Sequence, residues 1–425
     1  MAHIAWLGKK TPFCGNVTYG ISTTEALRQR GHQTSFIHFD NPSNPGNTKT
    51  SLLANDPEVS LPYLVKSQVY TIPSPGAQRE LRESLERLQP DLVHASLTLS
   101  PLDFRLPDLC QQLGVPLVAT FHPPFDASIR NLTAGTQQLT YQLYAPALAK
   151  YDRVIVFSEL QAEVLSKLGV RDHRLAVIPN GVDPECWTPV APHRTSPKKT
   201  EIRKRLGSER VFLYMGRIAT EKNVEALLRA WRLVEPSGCR LVIVGDGPLL
   251  PTLQNNYALA NNSNVHWWGY ESDLNTKIAL LQCAEVFLLP SLVEGLSLAL
   301  LEAMATGTAC VATDAGADGE VLENGAGIVL STQGVTTQLR TLLPVLRDQP
   351  VLTAELGRRA RERVLERYTL TRNIDSLENL YSELLINNSS LRRTKPTLDS
   401  SQPQGQPPQL TPNENLLSRD DAMQQ

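Results

Sequence analysis

Short apolar runs rich in β-branched residues alternate with turns and amphipathic stretches along most of the chain. In the first half the strand pattern falls on residues 3–8, 34–39, 91–96, 115–122, 153–158 and 175–179. Amphipathic segments at 23–30 and 79–88 lie between them. The runs are apolar at nearly every position rather than every second one. That predicts parallel strands covered on both faces by helices. Residues 40–67 carry no clear pattern. Pro179-Asn180-Gly181 ends the last run, and a polar, Pro-rich stretch follows. The alternation then restarts, with strands predicted at 211–215, 240–244, 265–268, 286–290 and 309–313. Helices are predicted at 221–233, 249–259, 272–281, 296–306 and 338–346.

The pattern predicts an α/β protein of two Rossmann-like domains in tandem. The N-terminal domain spans 1–183, a linker 184–200, and the C-terminal domain 201–350. Helices over 351–386 and a disordered tail over 387–425 complete the chain. The tail is rich in Pro, Gln, Ser and Asn, with too few large apolar groups to offset ordering entropy. Parallel sheets of this kind bind ligands at the carboxyl ends of their strands, so two of them facing each other enclose a cleft.

At 425 residues the chain is long enough for two cores. Lys+Arg 41 against Asp+Glu 43 gives a net charge of −2. Without a basic excess in either half, no nucleic-acid partner is expected. The six cysteines show no CxxC spacing, so neither a zinc site nor a disulfide framework is expected. The opening MAHIAWLGKK lacks the order of a signal peptide, and no apolar run approaches the roughly 20 residues of a membrane span. Any membrane contact is therefore expected to be peripheral.

The sharpest chemical signal is Glu294-Gly295-Leu296-Ser297-Leu298-Ala299-Leu300-Leu301-Glu302, after a buried strand. Gly295 is expected to open a helix whose first amides lack partners and suit a phosphate. Glu294 and Glu302 would lie about 12 Å apart along the helix axis, suited to gripping two ends of one long ligand. A second signal, Met215-Gly216-Arg217-Ile218-Ala219-Thr220-Glu221-Lys222, closes a strand with two cations around a turn. Arg offers a planar fork to phosphate oxygens and Lys a mobile point charge. The same residues in an isolated turn are ordinarily just solvated. What raises their interest is the turn Val244-Gly245-Asp246-Gly247-Pro248, one strand-helix unit further on. The loop 8–20, holding Gly15 and Asn16, is neither GxGxxG nor a Walker A motif, but its glycines can bring amides to a phosphate or sugar. His122, at the end of a strand beside two prolines, reads equally as a cleft residue or a half-buried structural one. With no HExxH and no DxD motif, nothing calls for a metal ion or other cofactor.

Taken in order, these motifs and Ile178-Pro179-Asn180-Gly181-Val182-Asp183 resemble the GT-B retaining glycosyltransferases of family 4. The likeness covers roughly residues 1–385. It implies a metal-independent hexosyltransferase with a nucleotide-sugar donor held mainly by the C-terminal domain. On that resemblance Arg217 and Lys222 clamp the diphosphate and Glu302 binds the ribose. Glu294 contacts the donor sugar with the Gly295, Leu296 and Ser297 amides nearby, Gly245 lies at the donor site, and His122 sits beside the anomeric carbon. Gly15 and Asn16 fall near the phosphates and the acceptor. The opening residues 4–19 look like the cyanobacterial digalactosyldiacylglycerol synthases. That likeness implies UDP-galactose as donor, a glycolipid acceptor, monogalactosyldiacylglycerol, and a cytoplasmic enzyme held peripherally at a thylakoid or plasma membrane. Phe121, Pro123, Pro124, Phe125 and Ile129, or the stretch 139–148 with Tyr141 and Tyr144, are candidates for an apolar landing surface, although each taken singly reads more readily as ordinary packing between helices. A transferase acting on a soluble sugar or polysaccharide, and a non-catalytic nucleotide-sugar-binding protein, are the alternatives.

Overall fold

The computed structural model describes residues 1–11, 14–40, 57–67, 69–125, 132–190, 196–207, 210–257 and 264–394. Met1–Leu385 is one compact unit. Ile386–Gln425 is a second, described only as far as a helix end at Thr394.

The first half supplies β1 His3–Leu7, β2 Gln33–Phe39, β3 Glu58–Leu61, β4 Tyr63–Lys66, β5 Thr71–Pro73, β6 Leu92–Ser96, β7 Leu117–Thr120, β8 Arg153–Val156 and β9 Leu175–Val177. Seven of them form a parallel sheet ordered β3-β2-β1-β6-β7-β8-β9, while β4 and β5 pair as an antiparallel hairpin. The second half supplies β10 Arg210–Met215, β11 Cys239–Val244, β12 Val265–Gly269, β13 Ala284–Leu289, β14 Ala309–Thr313 and β15 Ile328–Leu330. These form a second parallel sheet, ordered β12-β11-β10-β13-β14-β15. The helices are α1 Gly15–Gln29, α2 Ala77–Leu88, α3 Leu106–Leu113, α4 Leu132–Leu148, α5 Glu159–Lys167, α6 Pro197–Leu206 and α7 Val224–Val234. They continue with α8 Leu250–Tyr257, α9 Leu274–Cys283, α10 Leu298–Ala305, α11 Asp318–Val321, α12 Val335–Asp348, α13 Pro350–Arg367 and α14 Leu370–Thr394.

The apolar runs form strands because both faces of each sheet are covered. In β1, Ala5 and Leu7 join one buried cluster while Ile4 and Trp6 join another, the period-two alternation of a strand. The second of these clusters is closed by Ile374, Leu377, Leu380 and Tyr381 from α14. The last helix thus returns to the N-terminal sheet, whereas Leu356, Ala360 and Val364 of α13 belong to the C-terminal core. The two crossings lie side by side. Val182 N–H donates to Tyr368 O at 2.9 Å, and Leu370 N–H donates to Val182 O at 2.8 Å. A Cβ on Gly181 would stand 2.5 Å from Thr369 O, so this contact requires glycine.

Several boundaries differ from the sequence pattern. The linker is shorter at its C-terminal end, because Ser196 caps a helix that starts at Pro197. The helical stretch 351–386 is broken at Tyr368-Thr369, where the chain crosses between sheets. Helix α14 runs to Thr394, past the expected start of the tail at Asn387, while residues 395–425 lie outside the described residues.

Each sheet reverses its winding once, between β1 and β6 and between β10 and β13. Strand order opens a crevice at the carboxyl ends of these strands. The segments after β1, β7, β10, β11 and β13 carry the candidate residues.

Candidate active site

On the C-terminal side, β10 ends at Met215, and a 3-10 turn spans Thr220–Lys222. Asn223 takes a left-handed conformation, with φ of 51°, that separates this turn from α7. The predicted helix at 221–233 therefore starts late. The break frees Lys222 to turn inward, where its Nζ lies 2.5 Å from Glu294 Oε1. Ser291 Oγ donates to the same oxygen at 2.7 Å. Glu294 is buried, so the lysine and the hydroxyl offset its desolvation. Arg217 makes an ion pair with Glu221. The two expected cations thus have different surroundings, and only Lys222 is paired with the Glu294 carboxylate.

Glu294 lies in an irregular loop rather than at a helix start. Helix α10 begins at Leu298, because Ser297 is its N-cap and its Oγ accepts from Leu300 N–H at 3.3 Å. Gly295 opens no helix, and the axial spacing of Glu294 and Glu302 expected from one continuous helix does not apply. The Ser297 amide is also not open to a phosphate, since it donates to Asp318 Oδ1 at 2.9 Å. Among the described residues the N–H groups of Gly295 and Leu296 meet no acceptor, and these are the loop amides left to a ligand.

Three neighbours hold this loop. Asn180 Nδ2 donates to Leu296 O at 3.2 Å. Ala317 N–H donates to Gly295 O at 2.8 Å. Gly316, at φ of 60°, passes so close that a Cβ would stand 2.1 Å from Glu294 O. Asn180 was visible in the sequence only as part of a motif. Asp318 and Gly316 were missed, although Asp314-Ala315-Gly316-Ala317-Asp318-Gly319-Glu320 marks a polar, Gly-containing turn just after a predicted strand.

Gly245 has a packing reason to be glycine. At φ of 138° its Cβ would stand 1.9 Å from Gly216 O, so the turn after β11 lies backbone-to-backbone against the turn after β10.

On the N-terminal side, His122 follows β7 and is half-buried. Ser96 Oγ donates to Asn16 Oδ1 at 2.8 Å, and Asn16 Nδ2 donates to Leu97 O at 3.1 Å. With its proton committed to Asn16, Ser96 accepts from His122 Nε2 at 2.8 Å. This assigns the tautomer protonated at Nε2 and leaves Nδ1 as an acceptor. Burial, with the Lys9 cation adding to it, pushes the imidazole down to about 3. Asn16 therefore orients His122 through Ser96, with its side chain committed to protein groups. Gly15 starts α1, and a Cβ there would meet open space.

The two sides meet directly. Phe125 N–H donates to Glu294 O at 2.9 Å, and a Cβ on Gly295 would be 3.2 Å from His122 O. Glu302 lies within α10. Burial pushes its carboxyl up to about 7, with the Lys277 cation opposing the shift. Among the described residues no group of three or more His, Cys, Asp and Glu side chains is placed to share a metal ion.

The proposed landing residues are mostly interior. Phe121, Phe125, Tyr141 and Tyr144 are core residues, Pro123 is buried, and Pro124 is half-buried. Ile129 lies outside the described residues. Tyr141 turns inward because its hydroxyl donates to Pro123 O, and Tyr144 because its hydroxyl donates to Asp103. The apolar groups facing solvent here are Leu139 and Leu143 on α4, and Leu64, Val65, Tyr70 and Ile72 in and beside the β4-β5 hairpin. No helix among the described residues is long and apolar enough to cross a membrane.

The crystal structure of Anabaena HepE in complex with UDP and glucose superposes with a TM-score of 0.72 at 17% identity, covering 90% of this chain and 100% of that one. Residues 15–186 match the family model described as Glycosyltransferase Family 4, and residues 197–363 the one described as Glycosyl transferases group 1. The chain is a GT-B glycosyltransferase. The UDP-Gal:alpha-D-GlcNAc-diphosphoundecaprenol alpha-1,3-galactosyltransferase of Escherichia coli is 26% identical to the enzyme, over 72% of this chain and 79% of that protein. The alpha-monoglucosyldiacylglycerol synthase of Streptococcus pneumoniae is 27% identical, over 54% of this chain and 53% of that protein.

Proposed function

We propose that this glycosyltransferase moves a hexose, galactose, from a UDP-sugar to a membrane glycolipid, with retention of configuration. Its acceptor is monogalactosyldiacylglycerol and its product digalactosyldiacylglycerol. The observation that carries the donor half is the Lys222–Glu294 pair at the switch point of the second sheet, with the His122 loop hydrogen-bonded onto Glu294 from the first.

A UDP-sugar fits this arrangement from end to end. Glu302 accepts from the ribose hydroxyls. Arg217, Lys222 and the amides of Gly295 and Leu296 face the diphosphate. Glu294 and the Nδ1 of His122 accept from sugar hydroxyls. In the reaction the bond between the anomeric carbon and the β-phosphate oxygen breaks on the face where the acceptor oxygen bonds. The acceptor proton passes to the departing phosphate. Lys222 gains a second anionic partner as charge builds on UDP, so its stabilisation is greatest at the transition state. The neutral His122 orients sugar without adding charge.

The lipid half is supported by the exposed apolar groups of α4 and the β4-β5 hairpin. Both elements contact the 3-10 turn Pro101–Phe104, so these groups flank one feature of the N-terminal domain. The names of two relatives, which carry diphosphoundecaprenol and diacylglycerol, support it too. The test is incubation of the purified enzyme with labelled UDP-sugars and total membrane lipid, then identification of the product. A digalactosyl lipid from UDP-galactose is expected. Transfer only to free sugars, with no flotation on liposomes, overturns the lipid assignment.

Glu302 sets a pH dependence. Its folded pKa lies above the unfolded one, so it contributes stability at low pH that is lost as pH rises through about 7. The carboxylate formed there accepts from both ribose hydroxyls. UDP affinity, measured by calorimetry, is therefore expected to rise as pH increases through about 7. Glu302→Gln is expected to remove this rise.

A further inference from the structure

Asp318 takes no part in the steps above, yet it is almost wholly buried beside the donor loop. It starts α11, directly after the Gly316-Ala317 segment that backs onto Glu294 and Gly295. Its Oδ1 accepts the Ser297 N–H at 2.9 Å, and its Oδ2 is buried with no hydrogen-bond partner. We propose that Asp318 is a positioning residue of the donor site, pinning the Glu294–Ser297 loop by holding the Ser297 amide so that the Gly295 and Leu296 amides face the diphosphate. This rests on the UDP-sugar reading of the site.

The charges around it define the form in which it acts. Two carboxyls, Asp318 and Glu294, share one nearby cation, Lys222, whose Nζ is engaged with Glu294. Asp314, the preceding acid in the chain, turns instead to the Thr332 amide at 3.0 Å. The fields on Glu320, the other acid of α11, come from Glu323, Glu159, Arg363 and Arg367. A buried carboxylate oxygen without a donor is costly, whereas the neutral acid leaves only one unmet polar group. Burial first, and then the Glu294 charge, hold the Asp318 carboxyl well above its usual range. The neutral acid also spares the diphosphate a second negative neighbour. Ionisation would place that charge beside both Glu294 and the ligand.

The experiment compares the full-length chain with Asp318→Asn and Asp318→Ala, measuring UDP affinity by calorimetry and donor kcat and KM from pH 6 to 10. Asparagine keeps an oxygen for the Ser297 amide and cannot ionise. Its UDP affinity is expected within about 3-fold of wild type at pH 7, and any fall in affinity with rising pH that wild type shows should be absent from it. Alanine frees the Ser297 amide and unpins the loop, and is expected to weaken UDP by about 10-fold with a matching rise in KM. Two results overturn the proposal: alanine binding UDP as wild type does, or asparagine weakening UDP as much as alanine. If alanine does not fold, the asparagine affinity and its alkaline limb decide. Wild-type protein without UDP affinity overturns the donor reading and this proposal together. Wild-type affinity with an indifferent alanine variant overturns this proposal alone.

Discussion

Lys222→Ala is expected to lower kcat/KM for the UDP-sugar by about 100- to 1000-fold, the range seen when one preorganised donor to a developing anion is removed. The loss falls on kcat as well as on UDP affinity, because the diphosphate gains charge as the sugar leaves. A structural cost accompanies it. Without the ammonium, the buried Glu294 keeps only the Ser291 hydroxyl on its Oε1, which destabilises the fold by about 1–3 kcal/mol. The double variant Lys222→Ala/Glu294→Gln separates the two effects. Removing the orphaned charge is expected to restore the melting temperature without restoring turnover. Steady-state kinetics and thermal melts of the two variants check this. An unchanged kcat/KM in Lys222→Ala would leave the lysine a purely structural partner of Glu294.

Gly316→Ala is expected to damage stability and activity together, although the glycine has no side chain to offer a substrate. Its φ of 60° is a left-handed conformation that costs a residue with a Cβ about 1–2 kcal/mol. The added carbon would stand 2.1 Å from Glu294 O and 2.7 Å from Gly295 O, both backbone atoms that cannot swing aside. The loop must move, and with it go the Phe125 N–H bond to Glu294 O and the Ala317 N–H bond to Gly295 O. A total loss of about 2–4 kcal/mol is expected, with a fall in kcat/KM of at least about 10-fold. Gly76→Ala is the control. A Cβ there meets nothing within 4 Å, so its melting temperature and turnover should stay near wild type. Equal melting curves and rates for Gly316→Ala and wild type would show that the loop tolerates displacement.

The fold was legible because strands buried on both faces leave a strong local mark. Apolar residues crowd into runs of four to eight residues, and the runs repeat on either side of a Pro-rich break. The α14 return was not legible. Its partners, Ile4 and Trp6, lie more than 350 positions away in the chain, and an amphipathic helix does not name the face it will cover. The site was legible in part. Glu294, Lys222 and His122 stood out as charged or polar groups at strand ends, and the structure draws all three to one crevice. The sequence marks Asn16 as a loop residue but not its action through Ser96, because Ser96 lies on another strand. For Tyr141 and Tyr144 the sequence leaves both a landing surface and ordinary packing open, because nothing local shows that their hydroxyls find buried acceptors.

Composition and periodicity alone determined that this chain builds two parallel sheets with the candidate turns at their strand ends, since both depend on local spacing and on burial of contiguous apolar residues. Only the tertiary structure decided which turn residues face one another. The Lys222–Glu294 pair, the Ser297 amide held by Asp318 and the Phe125 bridge across the cleft all join distant segments. Their partners are chosen by how the two sheets and the crossing helices pack, a choice that short-range spacing along a chain cannot encode.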